Sequence, residues 1–161
     1  MGQKAIQDYY PDDFGQCYGC GPYNDHGLQI KSFWKEETDE TVCHFKPQPY
    51  HTAVPGVVYG GLIASLIDCH GTGTAAGAAY RAEGRALGTD PPLRYVTASL
   101  QVDYLKPTPI ETTLEIRGRV SEIKGRKITV DVTLATDKGE ICAKGRVVTV
   151  RIPDNMVLGT K

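Results

Sequence analysis

The sequence predicts an α+β domain in which an antiparallel sheet of five to six strands wraps around one central helix. Three observations lead there. Apolar and polar residues alternate through much of the second half, the period of a sheet with one buried and one polar face. One stretch, residues 60–80, reads as a long helix. That stretch is dominated by small residues, so whatever surrounds it must approach its backbone closely. At 161 residues, 40% apolar and 23% charged, the chain fits a single domain over residues 1–161.

Residues 1–22, rich in Tyr, Pro, Gly and Asp, read as an irregular lead-in. Strands are expected over residues 28–35 and 41–46, followed by a loop over 47–56 marked by Pro and Gly. The helix comes next, and Pro91-Pro92 excludes helix from the loop after it. Ala98, Leu100, Val102 and Tyr104 then alternate with Thr97, Ser99, Gln101 and Asp103. Leu114, Ile116 and Val120 continue the pattern, as do Ile128, Val130, Val132 and Leu134, with a last strand over 141–152. The connections Lys124-Gly125 and Asp137-Lys138-Gly139 are short enough for hairpins, so these strands are antiparallel.

In the helix, Leu62, Ile63, Leu66 and Ile67 form one apolar stripe directed at the sheet. Asp68 points away from it, on the side of Gly61, Ser65 and Thr72. His70 lies on the stripe and reads as a hydrogen-bonded core histidine; Cys69 reads as a small core residue rather than a nucleophile. Tyr59-Gly60-Gly61 opens the helix, where free backbone N–H groups can bind an anion or a developing oxyanion. Asp68 lies about 12 Å along the axis from Gly60 at 1.5 Å per residue. One small carbonyl cannot touch both, so a site using both needs a second copy of the helix.

Composition excludes several classes. Lys and Arg total 18 against 19 Asp and Glu, a net charge of −1, which argues against nucleic-acid binding. No run approaches the roughly 18 apolar residues of a membrane span, and no secretory leader is recognised. Five cysteines do not suggest a disulfide framework, and a cytoplasmic protein is expected. Cys17-x-x-Cys20 offers half a metal site, with His26 or the Cys43-His44 pair as completions, but a second tight pair is missing and no metal is assigned.

The segment from Pro55 through Tyr59-Gly60-Gly61 to Asp68 resembles the signature of hotdog-fold acyl-CoA thioesterases of the phenylacetate-degradation (PaaI-like) type. Two further stretches are similar to that group: Cys17-Tyr18-Gly19-Cys20-Gly21 with Asn24, Gly27 and Leu28, and Val96-Thr97-Ala98-Ser99-Leu100-Gln101-Val102-Asp103-Tyr104-Leu105-Lys106-Pro107. The resemblance implies a hotdog fold and hydrolysis of an acyl-CoA at the interface of a dimer, or of a tetramer, without metal or other cofactor. Gly60, with Gly61, would supply oxyanion-binding amides, and Asp68 of the partner chain would serve as general base or nucleophile. Thr97 matches a position where relatives hold the water with a hydroxyl. Tyr59, His51, Ser65 and Thr72 are the expected substrate-side residues.

The family His before Gly-Gly is Tyr59 here, and a polar Asn six residues earlier is Ala53, with His51 and Thr52 nearby. These departures keep open a non-catalytic acyl-thioester-binding protein. A hydratase or dehydratase would require His51 or His44 beside Asp68. Phe33, Trp34, Tyr50 and Tyr59 are weighed as an acyl tunnel, and Lys106, Lys124, Arg126 and Lys127 as a rim for coenzyme A phosphates.

Overall fold

Chain order follows from the alternation. Strands β1 (Phe33–Lys35) and β2 (Glu40–Phe45) precede helix α1 (Gly60–Ala82), and β3 (Tyr95–Tyr104), β4 (Leu114–Lys124), β5 (Lys127–Ala135) and β6 (Ile141–Arg151) follow it. A computed structural model describes residues 2–156. The six strands form one sheet in the order β1-β2-β4-β5-β6-β3, antiparallel throughout. This is the hotdog arrangement, with α1 packed on the concave face against β2 to β6. Among the described residues, no helix is long and apolar enough to cross a membrane.

The expected stripe is the core. Leu62, Ile63, Leu66 and Ile67 are buried against Ile116, Val130, Val132 and Val147 of the sheet. Burial of this kind contributes about 25 cal/mol per Å² of apolar surface, the main term holding helix to sheet. The small helical residues also have partners. A Cβ on Gly71 would lie 2.5 Å from Val147 Cγ2, and one on Gly73 would lie 2.6 Å from Gln7 Nε2. The sheet therefore comes close on one side and the lead-in on another.

Two expectations change. The lead-in is more ordered than its composition suggests: it forms 3₁₀ turns over Ile6–Tyr9 and Asp12–Phe14, and Ala5, Ile6 and Gln7 are buried. The first strand is shorter than expected, three residues instead of eight. The reason is a competing use of its first half. Leu28 N–H donates to Tyr18 O and Ile30 N–H to Gly19 O, with Gln29 at φ 54° between them. Residues 28–30 thus clamp the Cys17–Cys20 loop instead of joining the sheet.

His70 is fully buried, as expected, and organises a polar network that ties these parts together. Its Nδ1 lies 2.8 Å from Ser32 Oγ and its Nε2 3.0 Å from Thr41 Oγ1. Gln7 accepts from Ser32 N–H at 2.8 Å and donates to Ser32 Oγ at 3.0 Å. Thr41 and Thr74 share a 2.5 Å hydrogen bond. Burial lowers the His70 pKa to about 4, so the imidazole is neutral.

Strand β3 carries the feature that shapes the site. Its register against β6 shifts between Thr97 and Ser99, a bulge at Ala98. A bulge changes which residues face inward. Tyr95 and Thr97 face α1 before it, and Val102 and Tyr104 after it, as their contacts with the core, Asp68 and Gly60 show. Strict alternation could not direct Thr97 and Tyr104 to the same side.

Candidate active site

Asp68 sits at mid-helix, half-buried, and Thr97 is brought to it by the bulge. Thr97 Oγ1 donates to Asp68 Oδ1 at 2.5 Å. Thr72, one turn along α1, places its Oγ1 2.9 Å from Asp68 O and 3.0 Å from Thr97 Oγ1. Thr72 gives its own hydroxyl proton to the Asp68 carbonyl, and the Thr97 proton is the one committed to the carboxylate. One carboxylate oxygen is thereby fixed, and Asp68 faces a cavity of about 370 Å³. Tyr10, Phe14, Tyr95 and Val96 give this cavity a largely apolar lining.

The helix start forms a second centre. Leu62 and Ile63 N–H donate to Tyr59 O, while the N–H groups of Gly60 and Gly61 have no acceptor among the described residues. Unpaired amides at a helix N-terminus are the donors an oxyanion requires. Tyr104 Oη donates to Gly60 O at 2.7 Å and anchors this turn to β3. Tyr59 lies over Gly61, where a Cβ would fall 2.3 Å from Tyr59 Cε1. Gly60 lines a cavity of about 290 Å³ with Ile63, Tyr104 and Lys106, separate from the Asp68 cavity.

Comparison with known proteins places the chain in a family. A family model described as "Thioesterase superfamily" matches residues 55–143, from the Pro55-Gly56 turn through most of the sheet. The chain belongs to the thioesterase superfamily. Its sequence is 35% identical over 102 residues to "Acyl-coenzyme A thioesterase THEM4" of Xenopus laevis, covering 63% of this chain and 40% of that one. The chain spans about two fifths of the length of the curated relatives it matches. A thioesterase superfamily protein of Shewanella loihica PV-4 is 45% identical and aligns with a TM-score of 0.63, over 82% of this chain and 98% of that one. The PaaI protein of E. coli shares the fold at 17% identity and a TM-score of 0.63, over 78% and 81% of the two chains.

In this thioesterase-superfamily chain, the other expected residues distribute unevenly. Ser65 Oγ donates to Gly61 O at 2.9 Å, so its hydroxyl is used along the helix. His51 lies near the helix start, where Tyr59 N–H donates to His51 O at 2.8 Å. Its Nδ1 accepts from Gln48 N–H, its ring packs on Phe45 and Tyr50, and burial lowers its pKa. His44 meets Glu115 at 3.2 Å. Neither histidine lines the Asp68 cavity of its own chain. The aromatic residues weighed as a tunnel are not brought together: Phe33 and Trp34 lie on the β1 edge, with Trp34 under Arg81 at 4.5 Å, and Tyr50 is exposed. The basic residues are split as well, Lys106 near Gly60 and Lys124, Arg126 and Lys127 at the β4–β5 hairpin.

Sequence reasoning missed Tyr104 and the lead-in. Tyr104 stands within a stretch already noted for its likeness to the family, but its bond to Gly60 depends on the bulge. Cys17, Cys20 and Cys69 line the Asp68 cavity together. The neighbouring Cys20 and Cys69 thiols hold the Cys17 thiol far below its ordinary range, while Cys20 is pushed up to about 12, with Cys17 as the first cause. Cys69 is raised by the same neighbours and by burial. One sulfur of the group is thus the favoured site for a thiolate.

Proposed function

We propose that this chain hydrolyses acyl-CoA thioesters at sites built across a homodimer. The carrying observation is the division of labour along α1. Asp68, fixed by Thr97, and Gly60, with its free amide, border separate cavities of one chain. A second copy with its helix antiparallel supplies one centre to the other. Strand β3 supports such pairing, because it is a ten-residue sheet edge with Val96, Leu100 and Tyr104 exposed. A long open edge of this kind is a template for another strand.

In the proposed site, the Gly60 and Gly61 N–H groups of one protomer polarise the thioester carbonyl. Asp68 of the other, held at Oδ1 by Thr97, takes a proton from water through Oδ2 as the water oxygen bonds to the carbonyl carbon. Collapse of the tetrahedral adduct breaks the C–S bond, and the leaving thiolate recovers a proton. The partly apolar cavity beside Asp68 receives the acyl group. The coenzyme A carrier follows the name of the THEM4 relatives.

Thiol release from short, medium, long and aryl acyl-CoAs tests the function, with wild type and Asp68→Asn run together. The proposal expects release from at least one class and its loss in the variant. Release that survives in Asp68→Asn overturns the role of Asp68. Tight binding of an acyl-CoA with no release establishes a binding protein instead. Within one chain neither His44 nor His51 lines the Asp68 cavity.

A further inference from the structure

The sulfur atoms of Cys17, Cys20 and Cys69 all lie within 4.8 Å of one another. Two come from the lead-in loop and the third from the middle of α1, so tertiary structure alone brings them together. Cys17 Sγ and Cys69 Sγ are 3.9 Å apart. That is far longer than the about 2.05 Å of a disulfide. It matches the sulfur–sulfur edge of a metal–thiolate site, since bonds of about 2.3 Å give edges of roughly 3.8 Å in a tetrahedron and 4.0 Å in a trigonal plane.

The surroundings hold the sulfurs in this arrangement. A Cβ on Gly19 would fall 2.3 Å from Cys69 Sγ, so the loop makes room for the helical sulfur only with glycine there. The Leu28 and Ile30 amides fix the loop backbone from outside. Cys20 and Cys69 are buried whereas Cys17 is exposed, which leaves a path for entry. Charge favours a cation: Asp68 lines the same cavity, and the charge of Asp13 is balanced by Arg94 at 2.9 Å.

We propose that Cys17, Cys20 and Cys69 form a binding site for a thiophilic d¹⁰ cation, Zn²⁺ foremost, with the remaining coordination position turned toward the Asp68 cavity. Soft sulfur donors select Zn²⁺ and Cu⁺ over Mg²⁺ or Ca²⁺. Each cysteine that coordinates releases its proton to solvent, and no electron is transferred. The third ligand is Cys69, in place of the His26, Cys43 or His44 considered from sequence. His26 lines a different cavity, Cys43 is fully buried in β2, and His44 is engaged with Glu115. The site does not depend on thioester hydrolysis, so the two proposals succeed or fail separately.

Metal uptake by the full chain tests it. The reduced, chelator-treated protein is titrated with Zn²⁺ against a chromogenic chelator, and with Co²⁺ and Cd²⁺ followed by absorbance. One ion per chain is expected, with ligand-field bands of four-coordinate Co²⁺–thiolate and a Cd²⁺–thiolate charge-transfer band. Both are lost in Cys17→Ser and in Cys20→Ser, and both are kept in Cys142→Ala. Cys17 is exposed, so Cys17→Ser keeps its fold, as circular dichroism verifies. Uptake that persists in the Cys17→Ser/Cys20→Ser double variant overturns the proposal. So does absence of uptake by the reduced wild type.

Discussion

Asp68 and His70 are two residues apart on α1, yet they have opposite situations. His70 faces the sheet, is fully buried, and has both ring nitrogens paired, to Ser32 and Thr41. Asp68 faces a cavity and has one carboxylate oxygen fixed by Thr97. Burial drives the imidazole to its neutral form and closes it in a finished network. The carboxylate keeps its other oxygen for the step proposed above. Complete hydrogen bonding marks the structural side of the helix, and the incompletely bonded carboxylate in a cavity is the group that the proposed function uses.

Substitutions on the two sides should therefore separate activity from stability. Asp68→Asn keeps the size and the Thr97 partner but removes the base. Turnover should fall on the order of 10²–10⁴-fold with the melting temperature nearly unchanged. An unfolded Asp68→Asn protein would break the comparison. Gly60→Pro is the matching change at the helix start. Proline is tolerated at the first helical position and removes one N–H, and Tyr59 already has an extended backbone at φ −58°, ψ 130°. Turnover should fall on the order of 10²–10³-fold, again with the fold kept.

On the opposite side, His70→Ala leaves the Ser32 and Thr41 groups without their partner and opens a void. It should cost about 3 kcal/mol in denaturant unfolding. His70 also predicts a pH dependence. Its folded pKa, about 4, is below the ordinary 6.5, so its contribution is complete above pH 6.5 and is lost as pH falls from 6.5 toward 4. The loss amounts to about 3 kcal/mol over that window, and His70→Gln should flatten the curve. The smallest effect is expected for Thr97→Val, which frees Asp68 Oδ1. The rate at saturating substrate should fall on the order of tenfold with stability preserved.

The sequence carried the sheet, the helix and the two helical faces because each has a clear period. Leu62 and Leu66 are buried, Asp68 is turned away from them, and His70 is a core histidine, all as the 3.6-residue repeat implies. Irregular features were harder to read. The bulge at Ala98 changes the inward phase of β3, so alternation alone could not bring Thr97 and Tyr104 to α1 together. The use of residues 28–30 as a clamp depends on the Tyr18 and Gly19 carbonyls, earlier in the chain. The meeting of Cys69 with Cys17 and Cys20 is purely tertiary, and spacing within the chain gives no hint of it.

Mixing two inactive variants tests most directly whether Asp68 and Gly60 cooperate between chains. Asp68→Asn and Gly60→Pro proteins are unfolded together, refolded at equal concentration and assayed for thiol release on the best acyl-CoA. In a twofold dimer, random pairing makes half the molecules mixed, each with one site containing an intact Asp68 and an intact Gly60. The account predicts recovery of roughly a quarter of wild-type activity from two samples that are inactive alone. A mixture that forms mixed dimers and stays inactive would contradict it.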